Sequence, residues 1–352
     1  MVEVFSKTAT GERPIASAIV DYCAEMRSTG LISENAYEVI KEASSLFALS
    51  VTPFFCFEIP LHLQEDTTDF LFCISNPAVL SASLTSDSSK QLVNKNPFYK
   101  RLLDFALKWQ GGKAGLECVQ NIWLEFDYVD MKQGISNPAF FYAPKKAMNA
   151  LRKVYLTDIV FETVASQPLS KEAAKTLLLM LAGIPPPAWV SQIGKMLSRS
   201  TTSLRLFIQN VGKGGAQELL KAAGYKQVND LKFALLLNDC SAFADQVDVD
   251  IDIEESGQVG PVVGLECSFN HLEKALGFLG HLYVTGICKK HKHDALFNFL
   301  RNMQWQHGRD YQPFLAHFKL VYQGSDMPTK VKAYVGYAAT PKAPSIIRTQ
   351  IV

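Results

Sequence analysis

The chain lacks the features that mark membrane, secreted or nucleic-acid-binding proteins. Its longest apolar runs, residues 176–184 and 275–288, fall short of the roughly 20 residues that a membrane-spanning helix needs. The N-terminus has no charged-then-apolar layout typical of a signal peptide. With 35 Lys and Arg against 34 Asp and Glu in 352 residues, neither sign of charge prevails, which disfavours nucleic acid as a partner. These absences predict a soluble, cytoplasmic protein without a membrane span.

Recognisable motifs for metal or nucleophilic chemistry are also missing. The seven cysteines include no CxxC pair, so reduced and mostly buried thiols are expected rather than a disulfide framework. No zinc-ligand spacing occurs, and no GxSxG turn supports a Ser-His-Asp hydrolase. The sequence therefore predicts no metal site.

What the chain has is strand-like runs that come mostly in consecutive pairs, separated by helical segments. Short connections within pairs favour antiparallel hairpins, and no Pro/Gly/Ser-rich linker divides the chain. We expect one α+β domain covering residues 1–352. About nine strands are predicted, at residues 53–62, 69–75, 120–129, 138–142, 203–211, 247–254, 262–270, 315–323 and 330–337.

The strands alternate apolar and polar residues with a period of two. In residues 247–254, Val and Ile alternate with Asp and Glu. Each strand therefore has one face for packing against helices and a polar face that points elsewhere. In an open sheet the polar face meets solvent; in a closed barrel it lines a lumen that nine or ten strands make wide enough for a ligand.

Two stretches carry a resemblance to a known family. One is the C-terminal strand pair, His317-Phe-Lys-Leu-Val-Tyr followed by Lys330-Val-Lys-Ala-Tyr-Val-Gly-Tyr; the other is Thr52-Pro-Phe-Phe-Cys-Phe-Glu-Ile in the first strand. Together with the repeated helix–strand–strand–helix order, they resemble the ABBA or PT-barrel aromatic prenyltransferases. The resemblance implies an antiparallel β-barrel of about ten strands surrounded by helices, built from repeated αββα units.

The resemblance also implies a reaction: transfer of a prenyl group from an allylic diphosphate to an aromatic small molecule or a peptide side chain in natural-product biosynthesis. In that reaction Glu58 is the proton-accepting carboxylate, with Glu125 and Glu266 as alternatives. No DDxxD motif occurs, so no cofactor is required and Mg²⁺ is optional. The residues that would bind the substrates are Arg205, Lys319, Lys330, Lys332, Tyr334 and His317.

The same residues have simpler interpretations. Lys319 and Lys332 are typical of solvated strand surfaces, and Glu58 of an outward-facing acid. The acids of residues 248–254 favour a solvated edge strand, protected against aggregation, over metal binding.

Two other functions stay open on the sequence: a carboxylate-based cyclase or isomerase, and a non-catalytic protein that binds a peptide or small ligand and assists a biosynthetic enzyme. The transferase requires Arg205, Lys319 and Lys332 to converge in one cavity. A carboxylate enzyme requires the glutamates to converge and the lysines to point outward, whereas a binding protein needs only a groove.

Overall fold

The computed structural model describes residues 14–65, 67–132, 137–199, 203–212, 214–303 and 311–339. Its centre is a closed barrel of ten strands in which all neighbours are antiparallel, and β1 pairs with both β2 and β10. The strands are β1 Phe54–Pro60, β2 Asp69–Ile74, β3 Val119–Phe126, β4 Ala139–Pro144, β5 Trp189–Lys195, β6 Leu204–Gln209, β7 Gln246–Ile253, β8 Val259–Ser268, β9 Tyr311–Tyr322 and β10 Lys330–Ala339.

Helices surround the barrel, and the predicted α+β barrel of about ten strands is confirmed. Two short 3₁₀ helices, Leu49–Val51 and Lys113–Cys118, precede β1 and β3. The α-helices are α1 Ile15–Tyr22, α2 Ala24–Ser28, α3 Glu34–Ser44, α4 Pro77–Thr85, α5 Asp87–Lys95, α6 Pro97–Gln110, α7 Tyr128–Lys132, α8 Ala150–Ala165, α9 Lys171–Gly183, α10 Gly215–Ala222, α11 Leu231–Phe243, α12 Leu272–Val284 and α13 Lys290–Asn302.

Local signals explain where several helices begin. Ser33 caps α3, its hydroxyl accepting the Ala36 N–H at 3.1 Å, as expected for an N-cap serine. α6 begins at Pro97, where the missing N–H costs nothing, and Asn96 accepts the Phe98 N–H at 2.9 Å.

The hydrophobic core lies between the outside of the barrel and the helices. Alternate residues of each strand point outward into it, such as Phe55 and Phe57 of β1, which are at most 1 % exposed. On β2 and β3, Phe72 and Phe126 stack with ring centroids 6.0 Å apart. The residues between these positions point into the lumen, so the period-two pattern separates core from lumen.

Two expectations about individual strands were wrong. β5 was not predicted as a strand, because a register shift between Val190 and Gln192 interrupts its alternation. The acidic strand β7 is not a solvated edge: it lies between β6 and β8 in a barrel that has no edges. Its Asp248 and Asp250 are 3 % and 5 % exposed and face the lumen.

Barrel closure generates a prediction about Gly336. This residue of β10 pairs with Cys56 of β1, and a Cβ there would lie 2.2 Å from the backbone oxygen of Phe55. Gly336→Ala should lower the free energy of unfolding by about 1–3 kcal/mol through overpacking. Urea unfolding followed by circular dichroism measures this change in the free energy of unfolding.

The matched control is Gly277→Ala in α12, where a Cβ meets no atom within 4 Å. It should raise the free energy of unfolding by about 0.4–1 kcal/mol. Equal effects of the two substitutions would contradict the described seam between β1 and β10.

Candidate functional site

The lumen of the barrel consists of two adjoining spaces. One, the aromatic chamber, has a volume of about 250 Å³. Its rings include Phe54 and Trp123, with centroids 4.6 Å apart. The other, the charged mouth, has a volume of about 750 Å³. Phe54, Cys56, Leu71, Trp123, Phe141, Phe207 and Phe314 define the chamber; Arg199, Arg205, Lys319, Lys330 and Lys332 with facing carboxylates define the mouth.

Glu58 on β1 is held by two donors from the neighbouring strand β10. The Lys332 ammonium donates to its Oε1 and the Tyr334 hydroxyl to its Oε2. Burial alone would raise the pKa of this carboxyl, which is 2 % exposed, but Lys332 and Lys319 hold its pKa well below the usual range. Glu58 is therefore ionised, and both its oxygens are occupied.

Lys319 on β9 reaches across β8 to Asp250 on β7. The contact is direct because Gly264 of β8 lies between them: a Cβ at Gly264 would be 1.7 Å from the Asp250 Oδ1 and 2.8 Å from the Lys319 Cε. Burial opposes ionisation of Asp250, but Lys319 and Arg205 lower its pKa. Lys319 Nζ also lies 3.5 Å from Oε1 of Glu266, its direct cross-strand neighbour on β8.

Two arginines complete the charged mouth. Arg205 on β6 donates to both carboxylate oxygens of Asp252, at 2.8 and 3.0 Å, the bidentate arrangement that guanidinium favours. Arg199, in the connection after β5, donates to Asp127 at 2.5 and 3.1 Å and lies 4.0 Å from Glu125. Sequence analysis missed Arg199, because a loop residue shows no alternation.

Glu266 on β8 has a raised pKa, whereas Glu58 has a lowered one. Burial raises the pKa of Glu266 to about 8 in spite of Lys319. Its Oε2 lies 3.1 Å from His317 Nε2, although the two atoms are not aligned for a hydrogen bond. Burial and Lys319 lower the pKa of His317 to about 3, so the imidazole is neutral and stacks near Tyr334, with ring centroids 4.3 Å apart.

Acids outnumber cations along the described part of the lumen, although the residue types are those of an anion-binding site. Four of the five cations lie within ion-pair distance of a carboxylate. The nine acids are Glu58, Asp69, Glu125, Asp127, Asp130, Asp248, Asp250, Asp252 and Glu266; the five cations are Arg199, Arg205, Lys319, Lys330 and Lys332.

The structure brings all the sequence-predicted site residues to this lumen. The simpler interpretations of Lys319, Lys332 and Glu58 as outward-facing are wrong, because all three line it. The predicted residues on the lumen are Glu58, Glu125, Arg205, Glu266, His317, Lys319, Lys330, Lys332 and Tyr334.

Within the described ranges, no group of three or more His, Cys, Asp or Glu side chains is arranged to hold a metal ion. No described helix is both long and apolar enough to cross a membrane.

The raised pKa of Glu266 predicts how stability depends on pH. An unfolded glutamate titrates near about 4.3, so between that pH and about 8 the folded chain holds a proton that the unfolded chain has lost. Stability must then fall as pH rises through this window. Glu266→Gln removes this loss, so the melting temperature of the variant minus that of wild type should increase from pH 5 to pH 9.

Thermal unfolding followed by circular dichroism across that range measures the difference. Glu162→Gln, at an exposed position on α8, is the control and should differ from wild type by a constant amount. A constant difference for Glu266→Gln as well would show that Glu266 titrates normally.

No protein-family model and no curated protein matches the sequence. Solved structures do match: the prenyltransferase PriB in complex with product diphosphate has a TM-score of 0.57 at 12 % identity, covering 94 % of this chain and 100 % of PriB. AnaPT from Neosartorya fischeri has a TM-score of 0.51 at 11 % identity, covering 82 % of this chain and 79 % of AnaPT.

A third match is the 6-dimethylallyltryptophan synthase from Micromonospora olivasterospora in complex with DMASPP and Trp. Its TM-score is 0.53 at 11 % identity, covering 92 % of this chain and 97 % of the synthase. These likenesses span most of every chain compared, and they include the closed ten-strand barrel with its outer helices. The chain has the ABBA fold, the barrel of the aromatic prenyltransferases.

Proposed function

We propose that the protein transfers a prenyl group from an allylic diphosphate to an aromatic acceptor, either a small molecule or a peptide side chain, in natural-product biosynthesis. The observation that carries the proposal is the convergence of Arg205, Lys319 and Lys332 at the charged mouth, which adjoins the aromatic chamber. The matching synthase, whose structure contains DMASPP and Trp, adds support from its shared fold.

The charged mouth would bind the diphosphate. Guanidinium and ammonium groups form strong charge-assisted hydrogen bonds to phosphate oxygens, and they stabilise the negative charge that grows on the departing diphosphate. The three converging cations are each already next to a carboxylate: Lys332 next to Glu58, Lys319 next to Asp250 and Arg205 next to Asp252. The donor must compete with these carboxylates. No cofactor is required by this arrangement, and Mg²⁺ remains an optional counter-ion.

The aromatic chamber would hold the acceptor and the prenyl chain. Aromatic faces such as those of Trp123 and Phe207 attract an allylic cation, and exclusion of water protects it from hydrolysis. A chamber of about 250 Å³ is of a size for a single aromatic ring system beside a short prenyl chain. Glu58, Glu125 and Glu266 are the candidate groups for accepting the proton that the acceptor loses.

Donor binding tests the proposal. Dimethylallyl, geranyl and inorganic diphosphate should each raise the melting temperature, since a ligand at 100 times its dissociation constant adds roughly 2.7 kcal/mol to the stability. Lys332→Ala should weaken pyrophosphate binding about tenfold or more, as expected when a charge-assisted hydrogen bond is lost. Isothermal titration calorimetry measures the affinity.

The control is Lys171→Ala, at an exposed position in the first turn of α9, which should bind pyrophosphate like wild type. Absence of any shift or heat with all three diphosphates in the wild-type protein would sink the transferase proposal.

The ion pairs at the charged mouth predict that removal of a carboxylate increases the affinity for pyrophosphate. Asp252→Asn removes the carboxylate that holds Arg205 while keeping the shape of the side chain. Arg205 then keeps only the more distant carboxylate of Asp250, 3.9 Å from its Nε, and should bind pyrophosphate up to about fivefold more tightly, the upper range for a partly exposed ion pair. Isothermal titration calorimetry measures the affinity of the variant for pyrophosphate. Weaker binding by Asp252→Asn would show that Arg205 does not contact the anion.

A second candidate function has its own supporting observation. Glu58 has a lowered pKa and Glu266 a pKa of about 8, so the lumen holds an ionised and a protonated carboxyl at neutral pH. Such a pair could act as base and acid in a cyclase or isomerase that uses no diphosphate. Pyrophosphate binding distinguishes the two functions, because only the transferase needs to bind pyrophosphate.

A further inference from the structure

The lumen-facing acids of β7 divide between the two spaces in the order of the strand. Asp248 lines the aromatic chamber alone, Asp250 borders both spaces, and Asp252 lines the charged mouth alone. Every Lys and Arg side chain of the described lumen lines the mouth or borders both spaces. The acidic and basic side chains that line the chamber alone, within the described ranges, are Asp248, Glu266 and His317.

Strand register brings these three side chains together on one wall of the chamber. Asp248 of β7 is the direct cross-strand neighbour of Glu266 on β8. The Oε2 of Glu266 lies 3.1 Å from the Nε2 of His317 on β9. Two acids directly opposite each other on neighbouring strands destabilise a sheet when both are charged. The three residues form the chamber patch, a group that the fold holds together at a cost in free energy.

Asp248 is a buried carboxylate that accepts hydrogen bonds from neutral groups. It is 3 % exposed, and it accepts the Asn210 N–H and the Gln246 side-chain amide, each at 2.8 Å. Its neighbours Asp250 and Asp252 form ion pairs, but no described Lys, Arg or His does so with Asp248. Burial raises the pKa of Asp248 to about 6, so the carboxylate is ionised at pH 7.5. A buried negative charge without a cation costs folding free energy.

The Nε2 atom of His317 lacks a partner. It is buried, and no described group forms a hydrogen bond with it. Burial and Lys319 lower the pKa of His317 to about 3, so the ring is neutral and one of its nitrogens is an acceptor. Buried polar atoms are normally hydrogen-bonded. An unpartnered Nε2 on the wall of a cavity, beside an uncompensated carboxylate, therefore indicates a group that a ligand supplies.

We propose that the chamber patch binds a protonated amine of the acceptor, and that the acceptor is therefore a small aromatic amine. This inference rests on the proposed transferase function and names its substrate class. An alkylammonium group has a positive charge and three N–H donors, as the Lys side chain does. The charge compensates Asp248. The N–H groups donate to Asp248, to the Nε2 of His317 and to an oxygen of Glu266, which can accept in either protonation state.

The same arrangement disfavours an acceptor that also has a carboxylate next to the amine. Such a carboxylate would meet Asp248 and Glu266, and like charges brought together weaken binding. Lys319, which lies 3.5 Å from Glu266, is itself paired with Asp250. With the amine at the chamber patch, the ring of the acceptor lies among the aromatic side chains of the chamber. We therefore expect an aromatic amine to bind more tightly than the corresponding amino acid.

Tryptamine and 3-propylindole form a matched pair of probes, because a methyl group replaces the ammonium at nearly the same size. The full-length wild-type protein at pH 7.5 should bind tryptamine about tenfold more tightly than 3-propylindole, since the ammonium gains charge-assisted hydrogen bonds. Tryptophan, which adds a carboxylate, should bind about tenfold more weakly than tryptamine. Isothermal titration calorimetry measures the three affinities. Equal affinities for tryptamine and 3-propylindole would overturn the inference without recourse to any variant.

Variants locate the amine site. Asp248→Asn keeps the shape of the side chain and removes its charge, and it should abolish most of the preference for tryptamine over 3-propylindole. His317→Phe keeps a ring next to Tyr334 but has no acceptor nitrogen, and it should lose part of the preference. The matched control is Asp104→Asn at an exposed position on α6, which should retain the preference in full. A full preference in Asp248→Asn would overturn the assignment of the amine to the chamber patch.

Pyrophosphate binding separates a failure of this inference from a failure of the proposed function. A wild-type protein that binds pyrophosphate but shows no preference for tryptamine would overturn the amine site and leave the transferase proposal standing. A preference for tryptamine that depends on Asp248, in a protein that binds none of the diphosphates, would support the amine site and overturn the transferase.

Discussion

The pairing of the first strand with the last is the interaction on which the rest of the structure depends. Phe54–Pro60 joins Lys330–Ala339 in seven consecutive registered positions and turns a ten-strand sheet into a barrel. Closure leaves no solvent-facing side for the polar residues of each strand, so they point into one shared lumen. The seam also joins Glu58 of β1 to Lys332 and Tyr334 of β10, and thereby builds part of the site that it encloses.

Enclosure in the lumen determines the ion pairs and the pKa values of the charged side chains. Charges that are withdrawn from water require partners, and the lumen supplies them across strands: Arg205 with Asp252, and Lys319 with Asp250 over the gap left by Gly264. Where cations are close, as at Glu58, the pKa falls; where burial dominates, as at Glu266, it rises. One fold thus holds carboxyl groups in different protonation states within one cavity.

Much of the fold could be predicted from the sequence, because short-range signals determine it. Ser33 and Pro97 mark helix starts, and strict alternation marks most strands. β5 could not be predicted, because its register shift interrupts the alternation and Gly194 gives it no side chain where the Phe141 ring packs. Arg199 was missed for a related reason: it follows a strand, and only the barrel brings it back to Asp127, the residue directly after β3.

The sequence by itself determined which residues lie on the polar faces, since a period of two assigns every strand residue to one face or the other. It could not determine whether that face meets water or a lumen, because this depends on the pairing of strands some 270 residues apart, Glu58 with Lys332 and Tyr334. Only the tertiary structure decided that Asp248 and Asp250 of β7 are interior. Only it revealed that Leu71 and Ala139 are the cross-strand neighbours of Glu125, because cross-strand neighbours follow from register and not from the order of residues along the chain.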